Sequence, residues 1–210
     1  MDLDAFIRER LPLAPTPGIP EVRLHRATPR SGLMRLAEAD PGFGSPYWAR
    51  PWGGGLAMAR HILDNPEMVA GRRVLDLGAG GGLVAISAAL AGASRACAAD
   101  IDPYALIATR LNAAANAVEV ETVLGDLTTG DVPDADLILV GDLFYEQDLA
   151  TRVTAYLERC RGAGIAVLIG DPWRVFLPAG RLVLLAEYPV SDFGDPEGAV
   201  RRAGVFTLAA

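Results

Sequence analysis

The sequence predicts an α/β protein built on a doubly wound sheet of seven strands, mostly parallel and ending in a C-terminal antiparallel hairpin. Three observations carry this expectation. Short apolar runs alternate with helical patterns between Arg73 and Ile169, as in βα units whose helices cover both faces of a parallel sheet. The run Val74-Leu75-Asp76-Leu77 leads directly into a glycine-rich turn and then a helix. Beyond residue 180 the alternation stops, and two strand patterns follow each other with no helix between them.

Taken in order, residues 74–77 read as a buried strand and 83–90 as the helix after it. Residues 95–99 form a second strand, followed by a helix from Pro103 to about Asn116, with Asp102 as its cap and proline in its first turn. Residues 119–124 are a third strand and 137–141 a fourth, uniformly apolar because both of its faces are to be covered. A helix at 149–160 precedes a fifth strand at 165–169. Residues 182–188 and 200–208 are the strands of the closing hairpin, joined by a polar Asp/Gly/Pro segment. Upstream, the proline-rich stretch from about Leu11 to Pro46 reads as a partly irregular arm. Within it, Glu21-Val22-Arg23-Leu24-His25-Arg26 alternates like a short exposed strand. After Trp52-Gly53-Gly54-Gly55, the residues Leu56, Ala59, Ile62 and Leu63 recur at helical spacing until Asp64-Asn65-Pro66 stops them. The expected division is an arm over 1–46 and a main domain over 47–210.

Composition narrows the function classes. With 51% hydrophobic and 21% charged residues, the 210-residue chain fits a soluble globular protein. No apolar run approaches the roughly 18 residues of a membrane span, and the charged N-terminus lacks a signal-peptide core, so a cytoplasmic protein is expected. The net charge is −7, lysine is absent and there is no basic tract, so nucleic acid is not the expected partner, a local arginine cluster being the alternative. Cys97 and Cys160 read as buried structural thiols, and His25 and His61 make no ligand spacing, so no metal is expected. No apolar stripe is left over once sheet and helices are assigned, which leads us to expect a monomer.

The turn Gly78-Ala79-Gly80-Gly81-Gly82 lets the backbone bend sharply and approach a ligand where a Cβ would collide. A dinucleotide fingerprint needs a third small residue where Leu83 stands, and a phosphate-binding loop needs a lysine the chain lacks. Asp76 at the strand end suits an ammonium or sulfonium and repels pyrophosphate. The loop therefore reads as a site for S-adenosylmethionine. Asp100, ending the next strand, is placed to accept from both ribose hydroxyls, with Ile101 against the adenine. Asp126 is either an acceptor for the adenine amino group or a solvent-facing turn residue.

Gly141-Asp142-Leu143-Phe144-Tyr145 ends the fourth strand beside the point where strand order reverses. An acid and an aromatic so spaced can orient an incoming amine and border a methyl group, with Asp142 and Tyr145 as catalytic candidates. The alternative is a helix cap at Asp142 with Phe144 and Tyr145 in the core. Upstream, Pro46-Tyr47-Trp48-Ala49-Arg50-Pro51-Trp52 is dense in aromatics. Trp52 suits a cofactor wall because a flat ring is a good neighbour for a sulfonium, and Trp48 suits either that wall or the core.

Together these segments resemble the seven-strand, Rossmann-like class I S-adenosylmethionine-dependent methyltransferases. More narrowly, the chain resembles the protein-lysine methyltransferases that modify the β-subunit of electron-transfer flavoprotein. The resemblance runs from about Ile19 to the last strand. It includes Arg26-Ala27-Thr28-Pro29, Pro46-Tyr47-Trp48-Ala49 with Trp52, Leu63-Asp64-Asn65-Pro66, Asp100-Ile101-Asp102-Pro103, Leu111-Asn112 with Asn116, and Leu168-Ile169-Gly170-Asp171-Pro172. It implies cofactor contacts at Trp52, Asp76, Gly78, Gly80, Asp100 and Asp126. It also places Asp142 and Tyr145 in the family's motif near the acceptor lysine, with a flavoprotein β-subunit as protein partner. The chain departs from the family's pattern twice. Gly53-Gly54-Gly55 stands for Pro-Gly-Gly, and Trp173 takes the place of a glycine before Arg174, where its ring is expected to bear on the acceptor entrance. Other acceptors consistent with the residues are a ribosomal-protein amine or a small nicotinamide-like amine. A catalytically silent S-adenosylmethionine-binding module is the reading from a different class.

Overall fold

A computed structural model describes residues 2–39, 43–191 and 200–209. In chain order its elements are α1 (Leu3–Arg10), β1 (Leu13–Thr16), β2 (Ile19–His25) and α2 (Leu33–Ala39), then a 3₁₀ turn (Tyr47–Ala49) and α3 (Gly53–Asp64). There follow β3 (Arg73–Leu77), α4 (Leu83–Leu90), β4 (Arg95–Asp100), α5 (Pro103–Ala115), β5 (Glu121–Leu124), β6 (Leu137–Gly141) and α6 (Gln147–Gly162). The chain closes with β7 (Ala166–Asp171), β8 (Leu182–Val190) and β9 (Arg201–Leu208). The main sheet has the order β5-β4-β3-β6-β7-β9-β8. β5, β4, β3, β6 and β7 pair in parallel, and β9 pairs antiparallel with both β7 and β8. The expected seven-strand sheet and its closing hairpin are therefore present. The polar segment expected to join the hairpin strands lies mostly outside the described residues.

β6 shows why an apolar run becomes a central strand. Leu137 and Leu139 belong to the core shared with α3 and α4, whereas Ile138 and Val140 belong to the core under α6. Successive side chains point to opposite faces, so a strand covered on both sides has no place for a polar residue. Two of the covering helices begin with glycine. α3 starts at Gly53-Gly54-Gly55 after Trp52, and α4 starts after Gly82, and neither cap residue contributes a side-chain hydrogen bond.

The N-terminal segment is more ordered than its prolines suggest. α1 was not anticipated, and with Leu3, Ile7 and Leu11 it packs against Trp48 and against Ala105, Ala108 and Leu111 of α5. The strand expected to be exposed is buried on one face, where Val22 and Leu24 join the core beside α3 and α4. The free edge of β2 is covered by side chains. Arg23 N donates to Asn116 Oδ1 (2.8 Å), His25 N donates to Asn112 Oδ1 (2.8 Å), and Asn116 Nδ2 donates to the Arg23 carbonyl (2.7 Å). Asn112 of α5 and Asn116 at its C-cap, one helical turn apart, thus stand in for a neighbouring strand. Of the two cysteines expected to be buried, Cys160 is, while Cys97 is only partly so; both are free thiols. Among the described residues no helix is long and apolar enough to cross a membrane.

α3 approaches the sheet at two facing glycines. A Cβ on Gly170 of β7 would overlap the Gly54 carbonyl, and one on Gly54 would overlap the Gly170 carbonyl. Gly170→Ala should therefore cost about 1–3 kcal/mol through overpacking. Gly55→Ala meets nothing closer than 3.9 Å. It should be neutral or stabilising by up to about 1 kcal/mol, because alanine loses less entropy in a helix. Urea denaturation midpoints of the two variants test the contrast.

Candidate active site

β3 and β6 lie side by side at the centre of the sheet, with β4 and β5 on one side and β7 on the other. Strand order therefore reverses between them, and the crevice at their carboxyl ends is where open α/β sheets bind ligands. A cavity of about 390 Å³ occupies that crevice, within the range of small-molecule sites. Its lining brings together Trp52, Asp76, Gly78, Gly80, Asp100, Asp142 and Tyr145, seven of the nine residues singled out in the sequence. Ile101 and Asp126 are outside the lining. Ile101 is 71% exposed, and Asp126 accepts from Thr128 N (3.0 Å) and Thr128 Oγ1 (2.5 Å), in the turn geometry that was its alternative.

The floor of the cavity is the glycine turn. Gly78, Gly80 and Gly82 have φ of +74°, +54° and +82°, a region other residues enter at a cost. A Cβ on Gly81 would sit 2.7 Å from the Trp48 carbonyl oxygen, so the turn is pressed against the aromatic segment. α5 holds the turn from below. Thr109 Oγ1 donates to the Gly80 carbonyl (2.9 Å), and Asn112 Nδ2 donates to that of Gly81 (2.8 Å). Asn112 thereby joins the turn to β2, a role with only a faint sequence signal: a polar residue on an otherwise apolar helix face. Trp48 is buried edge-on against Phe43 (6.4 Å) and also lines the cavity.

Four acids surround this floor, each engaged by backbone N–H groups. Asp100 Oδ2 accepts from Gly80 N (2.8 Å) and Oδ1 from Asp102 N (2.9 Å), while Asp102 caps α5 through Tyr104 N (2.8 Å). Asp76 is buried and accepts from Ala85 N (3.0 Å) in the first turn of α4, supplying the cap that Gly82 cannot. Burial pushes its carboxyl up to about 7, against the hydrogen bond from Ala85 and reinforced by the charge of Asp100.

Asp142 does the same for α3. It adopts φ +59°, donates its N–H to the Gly170 carbonyl (3.0 Å), and accepts from Gly55 N at Oδ2 (2.8 Å). The alternative of a local helix cap is not its geometry, because α6 has Glu146 at its N-cap. Its other oxygen, Oδ1, pairs with Arg174 through Nη2 (2.7 Å) and Nε (3.2 Å). The Arg174 guanidinium also lies 5.8 Å from the Trp52 ring centroid, and Trp52 Nε1 donates to the Tyr47 carbonyl (2.9 Å). Phe144 is fully buried, whereas Tyr145 is 55% exposed and lines the cavity. Burial, with the charge of Glu146 adding to it, raises the Tyr145 phenol above its ordinary value and keeps it protonated.

Asp171 was not singled out in the sequence. It ends β7 fully buried and accepts from Arg174 N (2.6 Å), while Oδ2 has no partner among the described residues. Burial first, and then the charge of Asp142, raise its carboxyl to about 7 against the Arg174 contacts. Trp173, two residues on, has φ +64° in the position where the resemblance leads one to expect glycine. Its ring packs edge-on against Phe206 of β9 (4.8 Å) and does not line the cavity. Among the described residues no group of three or more His, Cys, Asp or Glu is placed to hold a metal.

Comparison with known proteins bears on the family and the fold. The family model for ribosomal protein L11 methyltransferase matches residues 57–142, from α3 through the glycine turn to Asp142. The solved 16S rRNA N2 G1207 methyltransferase of T. thermophilus, in complex with AdoMet and guanosine, has a similar fold. Its TM-score is 0.56 at 19% identity, over 77% of this chain and 44% of that one. The electron transfer flavoprotein beta subunit lysine methyltransferase of Xenopus laevis is 40% identical over 90% of this chain and 79% of its own length. The human protein of that name is 39% identical over 82% and 67%. Fold and relatives together define a class I methyltransferase whose cofactor is S-adenosylmethionine. Within that class, the chain belongs to the electron transfer flavoprotein beta subunit lysine methyltransferase family.

Asp171 makes stability depend on pH in a defined direction. Its folded pKa of about 7 lies above the unfolded value of about 3.9. Its stabilising share is therefore complete below about pH 4 and is lost as pH rises through about 7. Asp171→Asn keeps an acceptor for Arg174 N and removes the titration. Relative to wild type, the variant should gain stability at pH 8 over pH 4.5, which paired urea melts will read; an unchanged difference rejects the assignment.

Proposed function

We propose that this chain methylates the ε-amino group of a lysine in a protein partner, with the β-subunit of electron-transfer flavoprotein as acceptor. The observation that carries the reading is Asp142, held at the switch point between α3, Arg174 and the cavity, with Tyr145 at the opening. We assign Trp52, Asp76, Gly78, Gly80 and Asp100 to the cofactor. Ile101 and Asp126 are assigned to its outer, adenine end, since Gly125 N donates to the Asp100 carbonyl (2.9 Å) beside them. S-adenosylmethionine, when bound, supplies an electrophilic methyl carbon on a sulfonium.

The protein's task is to present a neutral amine in line with that carbon. A free lysine ammonium titrates near 10.4, and a lone carboxylate beside it would hold the proton still more tightly. Asp142 is not a lone carboxylate, because Arg174 balances its charge. The pair therefore offers an acceptor for an amine N–H while adding no net negative charge that would keep the amine protonated. Tyr145, neutral and half-exposed, offers a flat apolar face to the methylene stem of the incoming side chain. The sulfonium would meet the Trp52 ring and the buried acids, with the charge of Arg174 balanced by Asp142.

With purified flavoprotein β-subunit and methyl-labelled cofactor, label should appear on lysine of the partner. Asp142→Ala should lower kcat/KM by about a hundredfold, the effect of a mispositioned acceptor. Absence of lysine label on this partner and across a cell lysate would remove the proposal. A second outcome is fixed by the sequence. The chain contains no lysine, so peptide mass spectrometry of the enzyme itself after turnover should find no methylated lysine.

A further inference from the structure

Among the described residues, the cavity lining holds one cation for which no partner is found. Arg26 follows β2 and is among the residues that line the same cavity as Gly78, Gly80 and Asp76. The backbone on either side is fixed: Arg26 N donates to the Pro12 carbonyl (3.3 Å), and Ala27 N donates to that of Ala49 (2.8 Å). Nε is closed off from solvent and has no hydrogen-bond partner. Among the described residues, no acid pairs with this guanidinium. The other basic groups of the lining are committed elsewhere. Arg174 is bound to Asp142, His25 Nδ1 lies 2.8 Å from the Leu11 carbonyl oxygen, and Arg50 is engaged within the protein.

A guanidinium kept partly out of water without an acceptor is unfavourable, and the strain is relieved when a ligand brings an anion. Burial alone lowers the Arg26 pKa from its ordinary value, yet arginine stays charged at any working pH. The cavity therefore presents acids for a ligand's positive groups and a single uncommitted donor fork for a negative one. S-adenosylmethionine carries that combination: a sulfonium, an ammonium and one carboxylate. Its phosphate-free nucleoside offers no other anion. A guanidinium fork also matches the two oxygens of a carboxylate.

We propose that Arg26 binds the α-carboxylate of the methionyl half of S-adenosylmethionine, which makes the N-terminal segment part of the cofactor site. The inference rests on the cofactor reading above and goes beyond it in naming the anion seat. Titration calorimetry of wild type, Arg26→Leu and Arg26→Lys with S-adenosylmethionine and with its decarboxylated analogue separates the two. Wild type should prefer S-adenosylmethionine. Arg26→Leu should weaken it by about ten- to a hundredfold, the range for a hydrogen bond to a charged group, and leave the decarboxylated analogue unchanged. Arg26→Lys should restore part of the loss. The unchanged analogue also shows that the variant is folded. Equal binding of S-adenosylmethionine by Arg26→Leu and wild type overturns the proposal, as does an equal loss of both ligands. If wild type binds neither ligand, the cofactor reading fails and takes the proposal with it.

Discussion

Two helices point their first turns at the central crevice, and both start from residues that offer no side-chain cap. That constraint organises the site. Free N–H groups at a buried helix start need acceptors, and the sheet supplies them as carboxylates from adjacent strand ends. Asp76 reaches Ala85 at the start of α4, and Asp142 reaches Gly55 at the start of α3. Because β3 and β6 are neighbours, the two acids face one cavity. The raised pKa of Asp76 reflects how far from water such an acid must be to do this.

Glycine at those helix starts is needed for reasons beyond ligand access. Gly54 and Gly170 bring the backbones of α3 and β7 together, which sets α3 close enough for Asp142 to reach Gly55. Gly81 lies against the Trp48 carbonyl, which places the aromatic segment over the turn. Asn112 then connects that turn to β2, so the N-terminal hairpin, the turn and α5 share one hydrogen-bonded junction. Displacing any of the three would disturb the cavity wall, even though Asn112 itself is not part of the lining.

Charge is arranged with similar economy at the far side of the crevice. Asp171 accepts from the Arg174 backbone, and the Arg174 side chain in turn neutralises Asp142. The left-handed backbone at Trp173 turns the chain between Asp171 and Arg174, and its ring is anchored on Phe206 rather than laid across the cavity. A bulky residue at that position is thus accommodated by β9, and the departure from the family's glycine leaves the lining of the cavity untouched.

Strand and helix order, the glycine turn and the acids at three strand ends were legible in the sequence, because each is a local pattern: alternation of apolar runs, glycine where φ must be positive, a carboxylate where a strand stops. Those patterns name the class of cofactor. The order of the N-terminal segment was not legible, since β2 is completed by asparagine side chains 87 and 93 residues away. Nor were the tasks of Asp142, which caps α3 instead of its own following helix, or of Asp171 and Arg26, whose importance lies in what they lack or find across the fold. Hydrogen-bond partners and burial are decided by long-range packing, and a sequence pattern carries no distance. The sequence by itself determined the sheet and the turn at Gly78–Gly82; only the tertiary structure decided which side chains meet over that turn and which charge among them is left uncommitted.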